Sequence, residues 1–225
     1  MRIPFSPVFL TALFLLSAPL RAADFALKIE EKAAPAEIGG SIRSVLQSKA
    51  IELLQGDKPV LELWFRQEVP LKSKPAAPAE ALGAIPETTV MGAVVVTGPS
   101  LRDYKDNDIP KGVYTARFGL QPKDGDHLGT AEFDSFLVLI AAENDKELNG
   151  LNKFKPMVKA SGKSTASGHP LVVSLRPASG EGTLPRLSDP VEEHKAIRVK
   201  VSGQAGAEKS DIVFDLVFQG HGHIQ

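Results

Sequence analysis

Apolar and polar residues alternate most clearly in two stretches of the chain, 111–120 and 211–219. In the second, Ile212, Phe214, Leu216 and Phe218 fall on one face, and the opposite face contains Asp215 and Gln219. This period of two predicts β-strands with one face buried. The run 136–140 is apolar on both faces, which predicts a strand deep inside a sheet.

The other apolar runs are short and are separated by Gly, Pro and Asp turn residues. They predict further strands at 24–29, 50–54, 60–68, 89–97, 170–175 and 195–202. The last of these alternates, with Ile197, Val199 and Val201 predicted to face inward. The runs 50–54 and 60–68 flank a Gly-Asp turn and predict a hairpin, in which Trp64 packs between layers. Eight or nine short strands predict an all-β chain, an antiparallel β-sandwich of Ig-like or jelly-roll-like type. The alternation further predicts that each of its two sheets has one solvated face. A β-barrel is the alternative, since periodicity does not decide whether sheets close.

The chain reads as one domain, residues 23–225, preceded by a segment with a different pattern. Within that domain, the Pro/Ala-rich stretch at about 70–87 has no periodicity and predicts a flexible surface loop. Arg2 precedes a mostly apolar run at 8–20, and small residues follow at Ala22 and Ala23. This order is typical of a secretory signal peptide.

A membrane anchor is the alternative interpretation of residues 1–22, but the apolar run is shorter than the roughly 20 residues of a spanning helix. We therefore expect cleavage and export to the periplasm or the extracellular space. The chain has no cysteine, so the exported domain would be stabilised by its core without disulfides.

Net charge narrows the choice of partner. Removal of Arg2 and Arg21 with the signal segment leaves 24 basic and 27 acidic residues. This balance gives no electrostatic reason to expect binding to nucleic acid or to an anionic membrane. The partners that we expect are an envelope protein or a small ligand.

One stretch has a recognisable pattern. Residues 112–130 read GVYTARFGLQPKDGDHLGT, and residues 133–146 read FDSFLVLIAAENDK. Together with His169-Pro170 and Gly220-His221, this pattern resembles an uncharacterised group of exported bacterial β-rich proteins, over roughly the stretch from Val60 to the end. The resemblance implies export and a β-fold, and it implies no activity.

Histidines are the first candidate ligands. His221 and His223 project from the same side of an extended chain, so both imidazoles can reach one ion, and His127 or His169 could supply a third ligand. Imidazole suits Cu(II) or Zn²⁺, whereas the thiolates that favour Cu(I) are missing. The alternative interpretation is that His221 and His223 belong to a solvated C-terminal tail.

The loop that contains Asp124, Asp126 and His127 is a second candidate binding site. Its carboxylates alternate around a glycine and could hold Ca²⁺, although the full EF-hand pattern is missing. The alternative is ordinary turn chemistry, because Asp-Gly sequences favour tight reversals.

Catalytic motifs are scarce. The sequence has no cysteine nucleophile, no G-x-S-x-G elbow and no H-E-x-x-H helix, and 192–194 reads as a solvated linker. The favoured function is therefore a non-catalytic exported module that binds a ligand or a metal. A cell-envelope interaction or structural module is the alternative, and a hydrolase with a site assembled from distant residues is a weaker one.

Overall fold

The computed structural model describes residues 25–98, 101–102, 108–121, 134–190 and 194–220. These residues form eleven strands, two α-helices and three short 3₁₀ helices. The strands are β1 (Phe25–Glu31), β2 (Lys49–Gln55), β3 (Lys58–Phe65), β4 (Val69–Pro70), β5 (Val90–Val96), β6 (Gly112–Leu120), β7 (Ser135–Ala141), β8 (Leu171–Pro177), β9 (Arg186–Ser188), β10 (Lys195–Ala205) and β11 (Glu208–Gln219). The helices are α1 (Gly40–Arg43) and α2 (Phe154–Gly162), and the 3₁₀ helices are Pro78–Glu80, Leu82–Ala84 and Ala142–Asn144.

The strands belong to one curled, mixed sheet that forms a half-barrel. The strand order is β1-β2-β3-β5-β6-β7-β8-β11-β10-β4, with β9 also paired to β10. Neighbours pair antiparallel, except that the two-residue β4 runs parallel to β10. The prediction of a β-rich chain is thus confirmed, while its assignment as a sandwich stays a prediction.

The concave face of the sheet encloses the main hydrophobic core. Phe25 on β1 packs edge-on against Phe218 on β11, with ring centroids 5.0 Å apart. Phe65 on β3 meets Phe214 on β11 in the same way at 5.8 Å. Because β1 and β3 stand far from β11 in the strand order, these contacts show how strongly the sheet curls.

The alternation in the sequence correctly predicts which residues face this core. The apolar residues of β10 and β11 predicted to point inward are all buried in it: Ile197, Val199, Val201, Ile212, Phe214, Leu216 and Phe218. The predicted hairpin around Gly56 is also present, joining β2 to β3, with Gly56 at a φ of +61°. A positive φ is accessible to glycine at little cost, which explains its place in this turn.

The convex face of the sheet is covered in two places by chain that crosses over it. In the first, Ile38, Ile42 and Leu46 pack on Trp64, which is fully buried and donates its Nε1–H to the carbonyl oxygen of Lys32 at 2.7 Å. The prediction that Trp64 packs between layers is confirmed. In the second, α2 lies on β7 and buries Met157 against it.

This covering corrects the expectation that each sheet has a solvated face. Thr115 and Arg117 lie on the convex face of β6, yet they are only 0 % and 1 % exposed. They are buried because the segment after β7 folds back over them, and Asp145 of that segment bonds to both. Alternation identified the face correctly but not its solvent exposure.

The Pro/Ala-rich stretch predicted as a flexible loop contributes to the core. Leu82 and Ile85 are 2 % and 0 % exposed and belong to the main cluster, whereas most of 72–80 is exposed. The backbone N–H of Lys72 also donates to the carbonyl oxygen of Ala84 at 2.8 Å. The packed part of the stretch is therefore 81–85, and its flexibility stays a prediction.

Candidate functional site

Most of the ligands predicted from the sequence lie outside the described residues: Asp124, Asp126, His127, His221 and His223. His169 is described and is exposed just before β8, where its carbonyl oxygen accepts a hydrogen bond from Thr165 Oγ1 at 2.7 Å. No group of three His, Cys, Asp or Glu side chains able to hold a metal ion occurs among the described residues. Both predicted binding sites therefore remain predictions.

His194 is the histidine whose surroundings differ from those that the sequence predicts. The sequence predicts a solvated linker, but His194 is 8 % exposed, because Lys195 pairs with Gln219 and so brings His194 beside Gly220. A Cβ built on Gly220 would lie 2.1 Å from His194 Cδ2, so the ring occupies the space beside that glycine. No local pattern could have shown this contact, since it depends on pairing between β10 and β11.

Strand β1 presents the clearest open feature of the described fold, an edge that no described strand pairs with. β1 pairs with β2 along all seven of its residues and approaches β9 without pairing to it. The N–H of Lys32 donates to the carbonyl oxygen of Ser48, at the next position of the same register. Because antiparallel pairs alternate, the N–H and C=O groups of Leu27, Ile29 and Glu31 point away from β2, towards the open edge.

The side chains along this edge are one exposed apolar residue, Ile29, and two oppositely charged residues on either side of it in the sequence, Lys28 and Glu30. Ile29 is 53 % exposed, and it is the one large hydrophobic residue so exposed in the described part of the chain. On the convex face, Lys28 Nζ and Glu30 Oε2 lie 2.6 Å apart. Their hydrogen bond raises the pKa of Lys28 and lowers the pKa of Glu30 from the ordinary values.

A second group of charges continues this surface onto β2 and β3. Glu52 and Glu62 are cross-strand neighbours that both reach Lys32, at 3.6 Å and 2.5 Å. The hydrogen bond from Lys32 to Glu62 raises the pKa of that lysine, and its Nζ lies 5.8 Å from the centroid of the Trp64 ring. These contacts hold the end of β1 against the sheet, so the open edge is well supported.

Two ion pairs, one of them fully buried, join elements of the described fold to one another. Asp215 accepts hydrogen bonds from Arg198 Nε and Nη2, both at 2.8 Å, and from Ser188 Oγ at 2.9 Å. Ser188 belongs to β9, so this network holds β9 against β10 and β11. The hydrogen bond with Asp215 also raises the pKa of Arg198.

The other network joins Arg117 to Asp145 on the convex face. Arg117 Nε and Nη2 donate to the two carboxylate oxygens of Asp145 at 2.7 and 2.8 Å. The remaining N–H groups of Arg117 reach the carbonyl oxygens of Thr88, Glu147 and Leu148 at 2.8 to 3.2 Å. Because every donor is used within the protein, we assign this pair a structural role.

Within the described part of the chain, the core contains a small void of about 10 Å³. It is lined only by aliphatic side chains, among them Leu61, Leu137 and Leu216. A water molecule needs roughly this volume and also polar partners, which these side chains lack. This void is therefore a packing gap.

Comparison with protein-family models, with curated proteins and with solved structures finds no match for this chain. The resemblance to exported bacterial proteins stays a prediction. Among the described residues, no helix has the length and apolar character needed to cross a membrane.

Proposed function

We propose that this protein is an exported interaction module that pairs with a second copy of itself through the open edge of β1. In this proposal the curled sheet serves as a sandwich-like scaffold, and the two β1 strands join the sheets of two copies. The observation that supports it is the edge itself, where backbone groups at Leu27, Ile29 and Glu31 point outward beside an exposed isoleucine. Strand addition to such an edge is a common mode of protein association.

The charges of β1 favour a second copy as the partner. If two β1 strands pair antiparallel about a twofold axis at Ile29, the two isoleucines face each other, and Lys28 of each copy lies opposite Glu30 of the other. Opposite charges directly across a strand pair stabilise it by roughly 0.2–1 kcal/mol, and like charges destabilise it. A register centred on Glu30 would instead place two glutamates face to face. The strand is therefore self-complementary in one register.

The expected association is weak. The pairing covers the part of β1 from Leu27 to Glu31, since Phe25 packs against Phe218 at the other end. About six backbone hydrogen bonds can form there, and each contributes about 1 kcal/mol net. So short a ladder buries less than the roughly 1,200 Å² of a stable interface. We expect dimers at about micromolar to millimolar concentrations.

Charge exchange tests the register. K28E and E30K each place like charges across the axis, so either variant alone should be monomeric in sedimentation equilibrium. An equimolar mixture of the two should form mixed dimers, because the K28E chain is acidic at both positions and the E30K chain is basic at both. Every charge in the mixed pair then faces an opposite one. In the mixture each chain still has two like charges at positions 28 and 30, as it does alone. A dimer that forms only in the mixture therefore reports pairing between chains and not a change in the stability of either chain.

K58E is the matched control, because Lys58 is exposed and lies at the β2–β3 turn, away from the edge. It should dimerise as the original chain does. A monomeric original chain at the highest concentration, or a mixture that stays monomeric, would refute the proposal.

A second candidate function is transition-metal binding at one end of the sheet. The pairing of Leu216 with Leu175 places the start of β8, next to His169, at the same end as the last residues of β11. His194 lies beside Gly220 at that end as well. The residues that flank His127, Gln121 and Asp134, lie instead near Leu175, at the other end.

We propose that His221 and His223, with His169 or His194, bind Cu(II) or Zn²⁺. Calorimetric titration of the metal-free protein should show binding that weakens as the pH falls through about 6.5, since the ligating imidazoles must be neutral. H221A/H223A should abolish it, and H127A should not. Binding that survives the double substitution would contradict this site. Ca²⁺ at Asp124 and Asp126 is tested by titration in the same way.

Export itself is tested by N-terminal sequencing of the protein from an envelope fraction. We expect the mature chain to begin at Ala23, because the charged, apolar and small-residue order ends there. A chain that retains residues 1–22 would contradict cleavage.

A further inference from the structure

Helix α2 carries a one-sided basic surface that the overall charge of the chain conceals. No acidic residue occurs from 148 to 180, whereas that stretch contains Lys153, Lys155, Lys159, Lys163 and Arg176. The rest of the chain is correspondingly acidic, since the whole chain has a net charge of −1. Charge is thus segregated along the sequence.

The fold places three of these lysines in one row. Lys155, Lys159 and Lys163 are spaced four residues apart, and residues so spaced lie above one another on a helix. Met157 and Ala160, on the other side of α2, are buried against β7. The lysine row therefore faces outward, and all three side chains are exposed. With about 1.5 Å of rise per residue, the row is about 12 Å long. We name these three residues the lysine row.

Helix stability does not explain the lysine row. Like charges four residues apart repel, and a lysine in the first turn opposes the positive end of the helix dipole. Lys155 lies in that first turn, which contains no acidic residue, and Lys153 precedes it at the N-cap. Only the lysines near the C-terminal end fit the dipole.

The lysine row is also without ion-pair partners among the described residues. Exposed lysines elsewhere in the described part of the chain do form ion pairs, such as Lys49 with Glu31 and Lys200 with Asp211. The nearest acids along the chain before α2 are Asp145, which is buried against Arg117, and Glu147, which accepts a hydrogen bond from Ser41. The positive charge of the row is therefore available to an external anion.

We propose that the lysine row, with Lys153, binds the phosphate headgroups of an anionic lipid surface. Lysine ammonium groups are flexible, strongly hydrated point charges, which suit a diffuse layer of phosphates better than a bidentate recognition site. Phe154 at the start of α2 packs edge to face on Phe136 of β7, with centroids 6.5 Å apart, so these two rings do not form a platform on which bases could stack. A lipid surface thus fits this face better than a nucleic acid does.

Vesicle sedimentation tests the proposal. The full mature chain should bind phosphatidylcholine vesicles that contain phosphatidylglycerol, and it should not bind vesicles of phosphatidylcholine alone. Each lysine near an anionic surface contributes enough attraction that K155E/K159E/K163E should lower the partition coefficient by at least about a hundredfold. Raising the salt to about 1 M, where the screening length is about 3 Å, should also abolish binding.

Three controls make the result specific. K58E/K72E/K111E changes the net charge by the same amount at exposed lysines outside α2, and should retain binding to within about tenfold. K155Q/K159Q/K163Q removes the charge without introducing like-charged glutamates, and should lose binding while its thermal unfolding stays close to that of the original chain. Inorganic phosphate and a short DNA duplex serve as alternative anions.

The proposal is overturned if the original chain ignores anionic vesicles, or if the two triple glutamate variants lose binding equally. It is also overturned if millimolar phosphate or the DNA duplex binds the row as tightly as the vesicles do. Since the lysine row lies on α2 and the dimer edge on β1, K28E should still bind vesicles, which separates this proposal from self-association.

Discussion

Breaking the buried ion pair of Arg117 and Asp145 should destabilise the protein more than breaking any exposed ion pair would. Both side chains are almost fully buried, at 2 % and 1 % exposure. Removing the carboxylate by D145L leaves a guanidinium without its counter-ion in a place that water does not reach. The segment after β7 would also lose its main anchor to the sheet.

The magnitude follows from the bonds that are lost. Asp145 accepts two hydrogen bonds from Arg117 and one from Thr115 Oγ1 at 2.6 Å. Leaving a buried charge unpaired costs about 3–5 kcal/mol, a large part of the roughly 5–15 kcal/mol by which a domain is stable. R117M should cost at least as much, because the carbonyl oxygens of Thr88, Glu147 and Leu148 also lose their donors.

Urea unfolding, followed by the fluorescence of the buried Trp64, measures these free energies. The double variant R117M/D145L should be more stable than the sum of the two single effects predicts, by roughly 3 kcal/mol, because neither charge is then left alone. E31A is the matched control. Glu31 and Lys49 lie 2.8 Å apart, similar to the buried pair, but both are more than half exposed, so the loss should be below about 1 kcal/mol.

The large cost assigned to burial is refuted if D145L and R117M each cost less than about 1 kcal/mol. It is also refuted if the free-energy losses of the two single variants add up to that of the double variant. Either result would mean that water reaches the pair when one partner is missing. An E31A effect as large as that of D145L would show that burial is not the deciding factor.

Three further predictions concern other parts of the fold. G203A should destabilise the protein by about 1–3 kcal/mol in urea unfolding, because a Cβ there would lie 2.7 Å from a leucine side chain and 2.8 Å from an isoleucine side chain. G83A is the control and should have little effect, because a Cβ at that position has nothing within 4 Å. Limited proteolysis should cut first within the exposed stretch 72–80, and first cuts in a β-strand would contradict that expectation. In an NMR titration Glu30 should have a pKa below its reference value, so its pairing with Lys28 persists above about pH 4.3 and is lost as the pH falls through the lowered pKa. K28A should return the pKa of Glu30 towards the reference value, and a pKa that K28A leaves unchanged would contradict the pairing.

The candidate sites differ in whether neighbouring residues in the sequence are enough to reveal them. The H-x-H pattern at His221 and His223 is visible in the sequence because the two residues are close together along the chain. The open edge of β1 is not, since Phe25–Glu31 looks like any other alternating strand until its neighbours are known. The lysine row could have been found from the acid-free stretch 148–180, but whole-chain net charge averages it away.

The sequence by itself determined the nine longer strands of the described fold and which of their faces is apolar, but not the short strands β4 and β9. Alternation from Ile212 to Phe218 is a property of neighbouring residues, and the core-facing side chains of β10 and β11 are those that it predicted. The same local information placed the hairpin at Gly56 and the burial of Trp64. These features depend on side-chain period and turn chemistry, which act over a few residues.

Only the tertiary structure decided what lies against the other face of each strand. Arg117 alternates with apolar residues as an exposed residue would, but it is buried because Asp145, 28 residues further along, folds over it. The strand order, the open edge of β1 and the place of His194 beside Gly220 are decided in the same way. Each depends on contacts between residues far apart in the chain, and a local pattern contains no information about which distant segment will supply them.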